Sequence, residues 1–214
     1  MKNDFPDYIV VEGPIGVGKT SLAKRLADTF STGLMLESPA ENPFLPRFYE
    51  NPQSAALQTQ LFFLFQRAKQ IEILRQTDMF KPVQITDFFI EKDKLFASVT
   101  LNNAEFKLYQ QVYDHITLEA PTPDLVIYLQ APADVLLKRV LDRGIDYERR
   151  IDEKYLKRIA DAYIDFFYHY SSAPLLIMNT ADFDLVNGSR NYNILLEYIK
   201  RLPPGRNYFN PKEL

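Results

Sequence analysis

The chain contains no cysteine, so disulfide bonds and thiolate chemistry are both excluded. It has no apolar run as long as a membrane span, and its first residues lack the charged and apolar layout of a signal peptide. A formal net charge of −3 provides no broad basic surface for nucleic acid. The composition therefore predicts a soluble cytoplasmic enzyme with no membrane or nucleic-acid partner, and the 214 residues suit one α/β domain, 1–214.

The chain does have a phosphate-binding pattern directly after its first apolar run. A β-branched stretch at 9–11 leads into G-x-x-x-x-G-K-T, which is followed by an apolar helical pattern. Backbone N–H groups of such a loop face phosphate oxygens, the lysine reaches the β- and γ-phosphates, and the threonine hydroxyl binds magnesium. The sequence predicts a nucleotide-binding loop, or P-loop, made of Gly13, Pro14, Ile15, Gly16, Val17, Gly18, Lys19, Thr20 and Ser21.

Apolar runs of strand length alternate with helical patterns along the chain. Strands are predicted at 9–11, 34–36, 82–89, 124–130 and 174–178. Helices are predicted at 22–30, 54–77, 94–120 with breaks around 102–103, 134–143, 155–170 and 192–202, whereas the tail 203–214 shows no periodicity. This alternation predicts an α/β fold, in which a five-stranded parallel sheet is covered by helices on both faces.

Two acidic residues occupy the ends of predicted strands. Glu37 follows the second strand and Asp87 lies near the end of the third. Ligands of parallel sheets bind at the carboxyl ends of the strands, where the P-loop also lies. Glu37 is therefore a candidate base for an acceptor hydroxyl, and Asp87 a candidate magnesium partner of Thr20. The alternatives are a helix N-terminal carboxylate or a surface charge at Glu37 and a helix cap at Asp87.

A cluster of arginines indicates a lid over the transferred phosphate. The cluster spans one helix end and the charged loop after it, and consists of Arg139, Arg143, Arg149 and Arg150. Guanidinium groups bind phosphate oxygens bidentately, which predicts a lid at about 143–150. The alternative is a solvated helix end, in which the arginines pair with Asp142, Asp146 and Glu148.

With these motifs the chain resembles the deoxynucleoside kinase family, and within it the bacterial deoxyguanosine and deoxyadenosine kinases. The resemblance is carried by GPIGVGKTS, Glu37, the segment ENPFLPRFYEN, Gln60 and RVLDRGIDYE, and it runs from the first strand to about the fifth. It implies a P-loop nucleoside-kinase fold with an arginine-rich lid, usually as a homodimer. The implied reaction uses ATP and Mg²⁺ to phosphorylate the 5′-hydroxyl of a deoxyribonucleoside in nucleotide salvage, and the analogy favours a purine.

The resemblance also implies a role for individual residues. Glu37 stands at the position of the general base for the 5′-hydroxyl, and Tyr49 and Glu148 at the positions that hold the 3′-hydroxyl. Gln60 matches the glutamine that contacts the base edge, with Arg67 seven residues later.

Four further matches complete the site that the resemblance implies. When a one-residue gap is allowed, Asp93 and Phe96 match a base-site aspartate and a stacking aromatic residue. Arg139 and Arg143 match lid arginines, and together with Lys19 and Glu37 they form the expected catalytic set.

Two positions depart from the family pattern. Phe88 follows Asp87 where an arginine is usual, and Ile145 replaces a lid arginine. The cations that could compensate are Lys92, Lys94, Arg149 and Arg150. An arginine of this kind is worth about 10³–10⁵ in rate, which makes a nucleotide-binding regulatory protein with weak catalysis one alternative. The other is a thymidylate-kinase-like enzyme, for which Arg47 is the candidate cation for a second phosphate.

Overall fold

The computed structural model describes residues 5–76, 84–116, 120–181 and 189–210. Its strands form one six-stranded sheet in the order β2-β3-β1-β4-β5-β6, and every neighbouring pair is parallel. The strands are β1 (Tyr8–Glu12), β2 (Gly33–Met35), β3 (Gln84–Thr86), β4 (Leu125–Gln130), β5 (Leu175–Asn179) and β6 (Arg206–Phe209). The predicted α/β fold with a parallel sheet is confirmed.

Helices connect the strands and cover the sheet. The described helices are α1 (Lys19–Phe30), α2 (Leu45–Glu50), α3 (Pro52–Gln76), α4 (Lys92–Thr100), α5 (Asn103–Ile116), α6 (Ala133–Arg143), α7 (Glu153–His169) and α8 (Ser189–Lys200), with 3₁₀ turns at Pro39–Glu41 and Asp146–Arg150. Among the described residues, no helix is long and apolar enough to cross a membrane.

The predicted break near residue 102 separates α4 from α5. The Asn102 side-chain oxygen accepts hydrogen bonds from the backbone N–H groups of Ala104 and Glu105, each with a length of 3.0 Å. Asparagine at this position satisfies backbone donors that the first helical turn leaves without a partner, so a second helix begins here. The predicted helix 94–120 is therefore two helices, and residues 117–119 of that range lie outside the described residues.

The sheet has six described strands, one more than the five that the sequence predicts. β6 lies in the tail that seemed aperiodic, and it pairs in parallel with β5. Its side chains do alternate, since Asn207 and Phe209 are buried while Arg206 and Tyr208 are exposed. Four residues are too few for a convincing period-2 signal, and β6 is stabilised mainly by pairing with β5. The first two residues of the predicted third strand, 82–83, lie outside the described residues.

Both faces of the sheet are buried, which accounts for the uninterrupted apolar strands. Ile9 and Val11 of β1 face the cluster formed with α1, whereas Val10 faces the aromatic cluster of β4 and α7. In that cluster the Tyr128 and Phe167 rings stack at 4.2 Å between centroids. After β1 the chain continues to β2 and β3 on one side of β1, and β4, β5 and β6 lie on the other side. Because the strand order reverses at β1, a crevice opens at its carboxyl end.

Candidate active site

A pocket lies at this carboxyl edge, between the P-loop, α2, α3, α4 and the segment after α6. Its lining includes most of the predicted site residues: Ile15, Gly16, Lys19, Thr20, Glu37, Tyr49, Gln60, Arg67, Asp87, Phe96, Arg143 and Glu148. Of the P-loop, Ile15, Gly16, Lys19 and Thr20 line the pocket, and the aromatic rings of Phe48, Phe63 and Tyr155 line the apolar part. A pocket of mixed charged and aromatic lining suits a ligand with phosphate, sugar and base portions.

The P-loop passes so close to β4 and α6 that glycine is required at two positions. A Cβ atom at Gly13 would lie 2.5 Å from the Leu129 carbonyl oxygen, and one at Gly16 would lie 2.8 Å from that of Leu136. Gly16 also has a φ of +82°, which side chains disfavour. The loop leads directly into α1, which begins at Lys19 and directs its N-terminal N–H groups toward the loop.

Lys19 folds back over the loop that precedes it. Its Nζ donates hydrogen bonds to the carbonyl oxygens of Gly13 at 2.8 Å and Pro14 at 3.2 Å. Burial and the positive charge of Lys92 lower the pKa of Lys19 and outweigh the opposing effect of Glu12, Glu37 and Asp87, so that the pKa is about 8. The Lys19 ammonium group lies on the loop where a triphosphate would bind.

Asp87 joins Thr20 to the backbone of Glu37. Thr20 Oγ1 donates to Asp87 Oδ2 at 2.5 Å, and the Glu37 backbone N–H donates to Asp87 Oδ1 at 2.8 Å. The N-cap of α4 is Glu91, so the alternative of Asp87 as a helix cap is wrong. A hydroxyl beside a carboxylate fits Mg²⁺, which typically takes one or two protein oxygens and completes its shell with phosphates and water.

The Glu37 carboxylate lies between two cations. Arg67 donates to Glu37 Oε1 through Nη2, and Lys92 Nζ donates to Oε2 at 3.1 Å. Burial alone would raise the pKa of Glu37, but Arg67, Lys92 and Lys19 outweigh it and lower the pKa to about 2. The side chain is only 13% exposed, so the alternative of a solvated surface charge is wrong. Glu37 is an ionised carboxylate at the pocket wall.

Asp93 is positioned behind Arg67 rather than in the pocket. Arg67 Nη1 donates to Asp93 Oδ1, and the Asp93 side chain is fully buried. Asp93 does not line the cavity, and its Oδ1 is bound by Arg67, so the predicted direct contact with the base is corrected to a contact through Arg67. Asp93 orients Arg67, whereas Phe96, one turn along α4, does line the pocket.

The predicted sugar-binding pair comes together at the lid. Tyr49 of α2 stacks on Tyr147 with 6.1 Å between ring centroids and 8° between planes. Glu148 is 5% exposed and accepts a hydrogen bond from Arg143 Nη2 at 2.6 Å. Tyr49 and Glu148 both line the pocket, so the lid turn Asp146–Arg150 brings Glu148 to the same cavity as α2.

The two lid arginines that were expected to act together are separated. Arg143 lines the pocket, but Arg139 does not. Arg139 Nη2 donates to the Thr180 carbonyl oxygen at 2.5 Å, and Nη1 donates to Thr180 Oγ1 at 3.1 Å. The prediction of a catalytic Arg139 is therefore corrected, because its guanidinium group is bound to Thr180, directly after β5, while Arg143 at the end of α6 lines the pocket. Arg139 fixes α6 beside the P-loop.

The remaining lid arginines are exposed and paired outside the pocket. Arg149 lies 3.5 Å from Asp146, and Arg150 lies 3.4 Å from Glu50. Arg149 and Arg150 therefore match the alternative of a solvated helix end paired with carboxylates. Arg143 instead lines the pocket, as the lid prediction requires. Lys92 lines the pocket at 3% exposure. From the sequence it is only one of four cations able to compensate for Phe88, and no local pattern distinguishes it.

Comparison with known proteins agrees with this geometry. The family model described as deoxynucleoside kinase matches residues 9–202. A deoxyguanosine kinase of Bacillus subtilis is 36% identical over 158 residues, covering 73% of this chain and 76% of that protein. A deoxyadenosine kinase of Lactobacillus acidophilus is 28% identical over 208 residues, covering 91% and 94%.

A solved structure shares the fold. The deoxyadenosine kinase from M. mycoides, determined with dCMP and dCDP bound, matches with a TM-score of 0.80 at 20% identity. The match covers 91% of this chain and 100% of that chain. The comparison shows that the two chains share the fold.

Proposed function

Because the chain belongs to the deoxynucleoside kinase family, we propose that it transfers the γ-phosphoryl group of ATP to the 5′-hydroxyl of a purine deoxyribonucleoside. The observation that carries the proposal is the ionised Glu37 carboxylate, which lines the same pocket as Lys19 and Thr20 of the P-loop. The purine is supported by two of the relatives, a deoxyguanosine kinase and a deoxyadenosine kinase.

Glu37 acts as the acceptor of the 5′-hydroxyl proton. As that oxygen forms a bond to the γ-phosphorus, the bond from the γ-phosphorus to the β,γ-bridging oxygen breaks, and ADP leaves with the bonding electrons. Glu37 is ionised before the step and carries the proton after it. Lys19 and Arg143, which line the pocket on opposite sides, stabilise the charge on the phosphoryl oxygens.

Thr20 and Asp87 would hold a magnesium ion. Their oxygens are 2.5 Å apart, and Asp87 supplies the negative charge that a dication requires. When bound, the ion neutralises charge on the β- and γ-phosphates. Asp87 also binds the backbone of Glu37, so the same carboxylate fixes both the metal side and the base side of the site.

The remainder of the pocket is proposed to bind the deoxyribonucleoside. Tyr49 and Glu148 hold the 3′-hydroxyl, while Gln60 and Arg67 contact the base edge and Phe96 stacks on the base. The Tyr49 ring leaves little space at C2′, so a ribose would bury an unpaired hydroxyl at a cost of about 1–3 kcal/mol. A deoxyribonucleoside is therefore preferred over its ribose counterpart by about ten- to a hundredfold.

A neutral nucleoside fits the site better than a nucleoside monophosphate. Arg47, the candidate for holding a second phosphate, donates to the Ser54 carbonyl oxygen at 2.6 Å and does not line the pocket. Arg67, which lies beside Glu37, is held between the carboxylates of Glu37 and Asp93. These contacts favour nucleoside kinase over the thymidylate-kinase-like alternative.

Assembly and location are part of the same proposal. A homodimer is proposed because large apolar side chains remain exposed on two long helices, with Phe65 of α3 56% exposed and Tyr168 of α7 70% exposed. Cytoplasmic location is proposed because the donor, ATP, is a cytoplasmic metabolite. Sedimentation velocity of the purified chain measures the first property, and a single species at the monomer mass would contradict it.

A substrate panel tests the function. The purified chain is incubated with ATP, Mg²⁺ and each common nucleoside, deoxynucleoside and nucleoside monophosphate, and product formation is followed by chromatography. Deoxyguanosine and deoxyadenosine should give the highest kcat/KM. A preference of tenfold or more for thymidine or deoxycytidine would overturn the purine assignment, and turnover of monophosphates alone would overturn the nucleoside assignment.

A further inference from the structure

The site lacks a cation where the family resemblance leads one to expect an arginine. That position is Phe88, whose ring is 1% exposed and belongs to the buried interior rather than to the pocket lining. Phosphoryl transfer needs positive charge beside the oxygens of the moving group. Another residue must therefore supply this charge if the chain is an efficient kinase.

Lys92, the first residue of α4, occupies a suitable place. Its side chain is 3% exposed, and its Nζ lies 3.1 Å from Glu37 Oε2 and 3.6 Å from Glu12 Oε2. It lines the pocket together with Lys19. A lysine held beside the base carboxylate lies next to the oxygen that the base deprotonates.

We propose that Lys92 is a catalytic cation of the transfer step and takes over the role of the arginine that Phe88 replaces. Its ammonium group contacts oxygens of the phosphoryl group while that group passes from ADP to the 5′-oxygen. In this step the bond to the 5′-oxygen forms, the bond to the bridging oxygen breaks, and Glu37 takes the proton, while Lys92 keeps all of its protons. This inference rests on the proposed function.

The other cations near the site are less suited to this role. Arg67 is fixed by Glu37 on one side and the buried Asp93 on the other. Arg143 is paired with Glu148 and is proposed to act from the lid, so it does not replace a cation beside Glu37. Lysine carries three donors on one nitrogen, so Lys92 keeps a donor for phosphate while it remains bound to Glu37.

The remaining candidates for compensation lie outside the pocket. Lys94 is 45% exposed and lies 3.8 Å from the exposed Asp114. Arg149 and Arg150 are 66% and 53% exposed and pair with carboxylates at the surface. Of the four cations considered from the sequence, Lys92 alone lines the described pocket.

Glu12 holds Lys92 in position through an ion pair. The Glu12 side chain is fully buried at the end of β1, and its Oε1 accepts hydrogen bonds from the Gly13 backbone N–H and the Tyr163 hydroxyl, both at 2.9 Å. Its Oε2 accepts no hydrogen bond from the residues that the structure describes, so the charge of Lys92 is its nearest compensation. A buried carboxylate without a cation would be costly, which favours the position of Lys92 beside Glu12.

The test compares Lys92→Met and Lys92→Arg with the wild type. Loss of the cation is expected to lower kcat and kcat/KM for deoxyguanosine equally, by about 10²–10³, because the contact forms only in the transition state. ATP affinity, measured by calorimetry, should stay close to the wild-type value. Lys92→Arg keeps the charge and should recover part of the rate. Lys94→Met, a change of the same chemistry two residues along α4, is the matched control and should have wild-type kinetics.

A pH profile separates a charge at the base from a purely structural effect. The charged groups that face the Glu37 carboxylate are Arg67, Lys92 and Lys19, while Asp87 binds its backbone N–H. Lys92→Met removes one of the three cations, so the acid limb of kcat should move to higher pH. Lys92→Arg should leave that limb at the wild-type position.

Folding is controlled with a second variant. If Lys92→Met fails to fold because Glu12 is left unpaired, the double variant Glu12→Gln, Lys92→Met removes the orphaned charge while an amide oxygen still accepts from Gly13 and Tyr163. Its kcat is compared with that of Glu12→Gln alone. Equal values would contradict the role of Lys92.

Wild-type turnover in the same assay separates the two proposals. If the wild type phosphorylates no deoxyribonucleoside, the proposed function is wrong and the role of Lys92 in it is wrong as well. If the wild type is active while Lys92→Met keeps its kcat and its pH profile, only the role of Lys92 is wrong.

Discussion

Asp87 accepts a hydrogen bond from the backbone N–H of Glu37 over 2.8 Å, which ties the end of β3 to the residue proposed as the base. Its second carboxylate oxygen accepts from Thr20 Oγ1. A single side chain thus sets the distance between the proposed magnesium site and the proposed base. In phosphoryl transfer this spacing determines whether the acceptor oxygen and the γ-phosphate meet in line.

Asp87→Asn is expected to weaken magnesium binding while leaving the fold intact. The amide oxygen can still accept from the Glu37 N–H, but the negative charge that attracts the ion is lost. Loss of such an interaction costs about 10–100-fold in metal affinity. Titration of activity with Mg²⁺ at saturating ATP should show this shift. Asp161→Asn, which alters an exposed aspartate paired with Lys157, is the control, and an unchanged titration for Asp87→Asn would exclude Asp87 from the metal site.

Lys19 should take up a proton when ATP binds near pH 8. Its pKa is lowered to about 8 mainly by burial, so a part of the free protein carries a neutral amine at that pH. A bound triphosphate raises the pKa, and proton uptake makes affinity fall as pH rises through 8, by up to about tenfold per pH unit. Calorimetry in buffers of different ionisation enthalpy measures the uptake directly.

Two variants of Lys19 complete this prediction. Lys19→Met should abolish the proton uptake, and Lys19→Ala should nearly abolish phosphoryl transfer without unfolding the chain. Uptake that persists in Lys19→Met would assign the proton to another group. Near-normal turnover of Lys19→Ala would contradict the P-loop assignment.

Tyr49→Phe tests the assignment of the sugar subsite. The variant keeps the ring but removes the phenol proposed to bind the 3′-hydroxyl, so kcat/KM for deoxyguanosine should fall about tenfold, the equivalent of one hydrogen bond. A 2′,3′-dideoxynucleoside lacks that hydroxyl and should react equally with variant and wild type. Equal losses for both substrates would show that Tyr49 supports the pocket without contacting the 3′-hydroxyl. Tyr208→Phe, at an exposed position on β6, is the control.

The features predicted correctly from sequence depend on local pattern. The P-loop follows from eight residues read in order, and the meeting of Glu37 with Asp87 follows from their positions at the ends of neighbouring parallel strands. Each inference needs only periodicity and the rule that parallel strands end at one edge. β6 was missed because its alternation covers four residues and its stability comes from pairing with β5.

The features that were not predicted depend on tertiary packing. Arg139 and Arg143 lie one turn apart on α6, yet the contact of α6 with β5 directs Arg139 to Thr180 and leaves Arg143 at the pocket. Asp93 and Lys92 are adjacent in sequence, but only Lys92 lines the cavity. The periodicity of the sequence does not show which residue at the beginning of a helix will face a ligand.

The role of Glu37 as the base is tested most directly by the rate at which Glu37→Gln phosphorylates deoxyguanosine with ATP and Mg²⁺. Glutamine keeps the size and the backbone hydrogen bond to Asp87 but cannot accept the hydroxyl proton, so kcat should fall by about 10²–10⁴ while ATP affinity changes little. Glu41→Gln, four residues along the same segment and exposed, should leave kcat unchanged. A kcat for Glu37→Gln close to that of the wild type would contradict the claim that Glu37 is the base of this kinase.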